Sequence, residues 1–178
     1  MRYHAEQIID AGEMLPQFRL PAAGGGVVQL WDYKQRKRLI LLALHAPECP
    51  DCRQLLKAFA ANYAAFREEE AEVLALFPAS LEAVEQLQQE LHLPFPLLAD
   101  EQGEVQRRLA SWDEGGGPPL PTLIVADRFG ALYARYTART ADKLPSPDLA
   151  LRDLEYIAIQ CPECGAAEWF SESREETL

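Results

Sequence analysis

The chain has 178 residues, with 17 Lys and Arg against 28 Asp and Glu, a formal net charge of −11. At 48% hydrophobic it reads as globular, and a chain of this length buries roughly 70% of its unfolded surface, so no disulfide or metal is needed merely to hold it together. The acidic balance repels phosphate backbones and anionic lipid, so neither nucleic acid nor a membrane surface is an expected partner. The longest apolar run, Leu39 to Leu44, is too short to span a bilayer, and Met1 to Asp10 lacks an apolar signal core. A cytoplasmic protein is expected.

Phe18 to Leu20 and Val27 to Leu30 flank Gly24-Gly25-Gly26, which predicts a short hairpin. Leu39 to Leu44 predicts a strand buried on both faces, as in a parallel sheet. From Pro50 to Arg67 the pattern turns helical: Cys52, Leu55, Leu56, Phe59, Tyr63 and Phe66 form one apolar stripe. Val73 to Phe77 is a second buried strand, and Ser80 is placed to cap a helix with Leu81, Val84, Leu87 and Leu91 on its apolar face. Asp100 can cap a short helix carrying Val105 and Leu109. Gly115 to Pro119 breaks the pattern. Thr122 to Ala126 and Leu132 to Tyr136 predict an antiparallel pair joined by Asp127-Arg128-Phe129-Gly130. Ser146-Pro147-Asp148 opens a last helix that runs to about Gln160. The order is β-α-β-α-(short α)-β-β-α: an α/β protein, its mixed central sheet covered by helices on both faces.

Four cysteines fall in two pairs, Cys49-Pro50-Asp51-Cys52 and Cys161-Pro162-Glu163-Cys164. In a reducing compartment paired thiols point to redox chemistry or metal rather than to a structural disulfide. The first pair sits where a buried strand turns into a helix. Free backbone N–H groups and the positive end of the helix dipole favour a thiolate at Cys49. Cys52 falls one turn later on the apolar stripe. An exposed nucleophile and a shielded resolver result: Cys49 attacks a substrate disulfide, and Cys52 then releases the reduced substrate. The competing readings are a pair of ordinary buried thiols or half of a zinc site.

Three stretches, LILLALHAPECPDC, LLADEQGEVQRRL and PLPTLIVADRFGALYARY, resemble the thioredoxin fold over roughly residues 14 to 160. More narrowly they are similar to the redoxin family, which holds the alkyl hydroperoxide reductase/thiol-specific antioxidant proteins and related thiol-disulfide reductases. The resemblance implies a thioredoxin-like three-layer fold. It also implies that Pro121 is cis and faces the cysteine pair, and that Leu120 offers backbone groups to an extended substrate chain. A trans proline that merely opens a strand is the alternative.

The sequence departs from that pattern in places. Thioredoxins carry Trp before the first cysteine, where this chain has Glu48, and a buried Asp six positions before it, where this chain has Ala43. Proton transfer at Cys52 then falls to His45, Glu48, Asp51 or water. Peroxiredoxins show Pro, three residues, Thr, two residues and the peroxidatic Cys; aligned here these positions hold His45, Cys49 and Cys52. The missing Pro and Thr favour disulfide exchange over peroxide reduction.

Cys161 and Cys164 resemble half of a zinc ribbon, but zinc takes four ligands. Cys161 follows the last helix, ~20 Å of helical rise from the active-site end at about 15 residues. Three readings remain: a second redox pair relaying to a partner subunit in a homodimer, a zinc site shared by two chains, or an isolated dithiol. Residues 1–160 are expected to form a redoxin domain and 161–178 an acidic tail. The expected function is a thiol-disulfide oxidoreductase using Cys49 and Cys52, without cofactor or metal at that pair. It would act on a disulfide-containing protein or small molecule and be recharged by a thiol electron donor. The alternatives are a peroxiredoxin-like thiol peroxidase and a non-catalytic binding module linked by zinc through the tail.

Overall fold

A computed structural model describes residues 3–4, 11–109, 112–113, 116–117 and 119–160. The second cysteine pair, Cys161 and Cys164, and the acidic tail lie outside the described residues. In chain order, β1 (Tyr3–His4) precedes a hairpin of β2 (Arg19–Pro21) and β3 (Val27–Gln29), followed by a 3-10 turn at Leu30–Tyr33. Then come β4 (Arg38–Ala43), α1 (Pro50–Ala61), α2 (Tyr63–Glu68), β5 (Ala71–Phe77), α3 (Leu81–Leu91), β6 (Leu97–Ala99) and α4 (Glu104–Leu109). After β7 (Trp112–Asp113), which pairs with β1, follow β8 (Thr122–Ala126), β9 (Leu132–Thr137) and α5 (Pro147–Ile159).

The central sheet has the order β6-β5-β4-β8-β9. β4 runs parallel to β5 and antiparallel to β8, so the sheet is mixed. Every residue of Leu39 to Ala43 and of Thr122 to Ala126 is buried, which explains why β4 and β8 read as unbroken apolar runs. On one face, Ile40, Leu42 and Leu44 pack under α1, α2, α3 and α5. On the other, Leu39, Leu41 and Leu74 lie beneath Phe18 and Leu20 of the hairpin region and Val105 and Leu109 of α4. Helices therefore cover both faces. No helix among the described residues is long and apolar enough to cross a membrane.

The structure departs from the sequence reading in four places, one of them the β1–β7 pair, which the sequence does not predict. The stretch from Pro50 to Arg67 is two helices rather than one. Asn62 sits between them at φ −104, ψ 6, and its side-chain amide takes the carbonyl of Ala58 at 2.9 Å. The apolar stripe survives the break: the Phe59 and Phe66 rings stack 5.5 Å apart. β6 was not anticipated, because Pro94 and Pro96 mask a strand that is only three residues long. Its outer side is covered by the N–H of Ala23, which donates to Leu97 O at 2.9 Å. Finally, no described peptide bond is cis, so Leu120–Pro121 is trans. Pro121 directly precedes β8. Its carbonyl accepts from Ala138 N–H at 3.0 Å, and that of Leu120 accepts from the Thr122 hydroxyl at 2.9 Å.

Candidate active site

The site grows from the C-terminal end of β4. Leu44 N–H donates to Leu76 O at 2.9 Å, continuing the pairing with β5 by one residue. Gln106, fully buried on α4, donates its amide to Leu44 O at 3.0 Å and to Leu76 O at 2.8 Å. Gln106 is held in turn by the buried Asp100, whose carboxylate accepts from its backbone N–H at 2.8 Å. Asp100 thus caps α4 as expected and also anchors the residue that ties two strand ends. That role for Gln106 was missed; the one signal available was a polar residue beside Val105 on the buried side of a short helix.

Beyond Leu44 the chain turns through His45 to Glu48 into α1. Cys49 is the N-cap, in extended backbone at φ −64, ψ 120, and Pro50 occupies the first turn. The sulfur of Cys49 accepts from Cys52 N–H at 3.3 Å, so a thiol takes the place usually held by a hydroxyl or carboxylate. Arg53 fastens the loop from outside. Its Nε donates to Pro47 O at 2.8 Å and its Nη1 to Glu90 Oε2 at 2.6 Å, which ties α1 to α3.

The two cysteines sit in different surroundings. Cys49 is half-buried, while Cys52 has no exposed surface. Burial pushes the Cys52 thiol up to about 12, helped by its contact with Cys49. The backbone N–H groups of His45 and Ala46 pull in the opposite direction and do not overcome burial. His45 Nδ1 lies 3.4 Å from Cys52 Sγ. A ring nitrogen of His45, Cys49 Sγ and Cys52 Sγ all lie within 4.8 Å of one another.

Of the proton-transfer candidates, only His45 is brought to Cys52. Glu48 and Asp51 are exposed. Pro121 is buried and Leu120 half-buried. The register pairs Ala43 with Thr122, so Leu120 and Pro121 stand one step beyond it, at the same end of the sheet as the cysteines.

Comparison with known proteins bears on the family and the fold. The family model of the AhpC/TSA family matches residues 11–135. The peroxiredoxin bcp1 of Schizosaccharomyces pombe (strain 972) is 28% identical over 112 residues, which cover 63% of this chain and 57% of that one. The chain therefore spans less than two thirds of the length of this curated relative. The crystal structure of peroxidoxin BcpB from Mycobacterium tuberculosis superposes with a TM-score of 0.75 at 21% identity, covering 86% of this chain and 99% of that one. A yeast mitochondrial 1-Cys peroxiredoxin, described for its thiol resolving mechanism via glutathione/thioredoxin systems, gives 0.73 at 16% identity over 83% and 76% of the two chains. These structures share the thioredoxin-like fold. The family match runs through the β4 strand, the Cys-x-x-Cys turn and most of the β8–β9 hairpin, and the chain belongs to the AhpC/TSA family.

Proposed function

We propose that the protein is a thiol-disulfide oxidoreductase in which Cys49 is the nucleophile and Cys52 the resolving thiol. The observation that carries this reading is the asymmetry of the pair. Cys49 is half-buried at a helix N-terminus with an N–H aimed at its sulfur. Cys52 is enclosed, its thiol pushed up to about 12, with an imidazole beside it.

The Cys49 thiolate attacks one sulfur of a substrate disulfide, forming a mixed disulfide and releasing the first substrate thiolate, which takes a proton from solvent. Cys52 then passes its proton to His45 Nδ1 and attacks Cys49 Sγ. The Cys49–Cys52 disulfide forms, and the second substrate thiolate leaves with the proton that His45 returns. Two electrons have moved from the protein to the substrate. Two equivalents of a thiol donor restore the dithiol and leave as their own disulfide. Leu120 and Pro121 offer backbone edges for an extended substrate chain. Residues 1–160 form the catalytic domain in this reading, and the tail with Cys161 and Cys164 is an appendage.

The peroxiredoxin relatives favour a second reading with the same two sulfurs. The thiolate of Cys52, which stands at the peroxidatic position of the peroxiredoxin pattern, or that of Cys49 attacks a peroxide O–O bond and becomes a sulfenic acid as an alcohol or water leaves. The other thiol of the pair condenses with it to the disulfide and releases water.

One set of measurements separates these readings. In the reduced protein Cys49 should alkylate before Cys52 near neutral pH, and Cys52→Ser should accumulate a mixed disulfide with insulin or a small disulfide. Faster alkylation of Cys52, or no trapped adduct, would overturn the assignment. Stopped-flow oxidation by hydrogen peroxide far faster than by disulfides would replace the first reading with the second.

A further inference from the structure

We propose that His45, Cys49 and Cys52 also form a zinc site, with three protein ligands and an open fourth position. Among the described residues this is the one group of three His, Cys, Asp or Glu side chains whose ligand atoms all lie within 4.8 Å of one another. Zn–S bonds of ~2.3 Å and Zn–N bonds of ~2.0 Å place tetrahedral ligand atoms roughly 3.5 to 3.8 Å apart. The His45 Nδ1 to Cys52 Sγ separation of 3.4 Å already fits, and no other pair has to close by more than about 1.3 Å.

The environment suits thiolate ligands. The N–H of Cys52 points at Cys49 Sγ at 3.3 Å. Such N–H···S contacts are the outer-shell support that metal-bound sulfurs use. A lone Cys52 thiolate is disfavoured where it is buried. Two thiolates, one neutral imidazole and Zn2+ sum to zero charge, and this removes the objection. The exposed carboxylates of Glu48 and Asp51 flank Cys49 and draw a cation. Arg53, the nearest guanidinium in sequence, is held by Glu90 and Pro47 O. Cys49 and His45 are half-buried, which leaves the fourth position on the solvent side for water or a thiolate.

Binding releases the two thiol protons to solvent and changes no oxidation state. It caps the proposed nucleophile, so the metal and disulfide chemistry exclude each other. Oxidation of the pair by a disulfide substrate passes two electrons to that substrate and frees the ion as Zn2+.

The inference shares the Cys49–Cys52 dithiol with the proposed function, and the test keeps them apart. The full chain carrying Cys161→Ser and Cys164→Ser is reduced and titrated with Zn2+ against a chromogenic chelator. One ion per chain should bind, with two protons released per ion and Cys49 alkylation suppressed. The oxidised protein should bind none. His45→Ala, with both thiols still counted in the folded chain, should weaken binding at least about tenfold. Co2+ in place of Zn2+ should give sulfur-to-metal charge-transfer bands that change in this variant. Absence of stoichiometric binding, or unchanged affinity in His45→Ala, overturns the site. Disulfide exchange is measured in excess chelator. If exchange persists without zinc binding, only the metal site fails. If zinc binds and exchange is absent, only the oxidoreductase reading fails.

Discussion

Two helices of this protein begin with the same chemistry, a small polar residue followed by Pro and Asp: Cys49-Pro50-Asp51 at α1 and Ser146-Pro147-Asp148 at α5. Both N-caps are extended, at φ −64 and φ −66. Their amides three residues on are used differently. Cys52 N–H points at the sulfur of Cys49, whereas Leu149 N–H donates to the backbone carbonyl of Ser146 at 3.1 Å, and the Ser146 hydroxyl makes no capping bond. Pro50 is exposed and Pro147 is buried. A cap held beside an imidazole and a second thiol therefore does not follow from the tripeptide. It follows from where the preceding strand ends, because β4 delivers His45 and Cys49 together, while α5 follows a 3-10 turn, Ala141–Lys143, that brings no such partner.

The sharpest way to break this comparison is to exchange the side chains. Cys49→Ser should abolish disulfide exchange while leaving thermal stability nearly unchanged, since a hydroxyl caps at least as well as a thiol. Ser146→Cys, made in a chain whose four native cysteines are Ser, should alkylate no faster than an ordinary thiol with a pKa of about 8.5. Fast alkylation there would show that the tripeptide alone suffices.

A smaller effect is expected from removing the hydroxyls. Ser80 caps α3, accepting from Ala83 N–H at 3.3 Å. Ser80→Ala should cost ~1 kcal/mol, about 2–4 °C in Tm for a chain of this size, and Ser146→Ala less than about 0.5 kcal/mol. Equal losses would mean that Ser146 caps after all.

The smallest effect concerns how α5 is fastened to the sheet. The Tyr136 hydroxyl on β9 donates to Asp153 Oδ2 at 2.8 Å, and burial together with the Asp153 carboxylate pushes its pKa up to about 12. Its unperturbed value is 10.0, so the folded state holds the proton more tightly than the unfolded chain. That contribution is complete below about pH 10 and is lost as the pH rises towards 12. Tyr136→Phe should flatten the decline in unfolding free energy between pH 10 and 12, read from urea titrations. Tyr63, held by Glu72 and likewise pushed up to about 12, keeps part of the slope. An unchanged slope would detach Tyr136 from the stability of this helix.

Much of this arrangement was legible in the sequence, for reasons particular to its residues. Leu39 to Leu44 is wholly apolar and too short for a helix of the usual length, which reads as a strand covered on both faces. A Cys-x-x-Cys directly after it, with Pro in the first turn, fixes which sulfur lies outermost. What stayed hidden depends on distance through space. His45 is one of several proton-transfer candidates the sequence offers beside Glu48, Asp51 and water, and no periodicity says that its imidazole alone folds back onto Cys52, seven residues away across a loop and helix start. The interruption at Asn62 is a local contest between a side-chain amide and the helix ladder, which leaves the apolar stripe intact and therefore invisible to a pattern. The cis geometry at Pro121 is implied only by the resemblance, and the bond is trans here, so the fold alone does not carry that feature into this chain.

Gln106 gives this design a freedom as well as a constraint. Its buried amide grips Leu44 O and Leu76 O from the face opposite α1, so the platform under His45 is secured by a residue that neither substrate nor solvent reaches. The dipeptide between the sulfurs, Pro50 and Asp51, is exposed at both positions. Tuning and architecture are thereby separated. Substitutions at 50 and 51 are open to shift the balance between dithiol and disulfide with little disturbance to the scaffold. Changes at 106 disturb the scaffold without touching the chemistry, so a lineage can explore electron-transfer potentials on the surface while its foundation stays still.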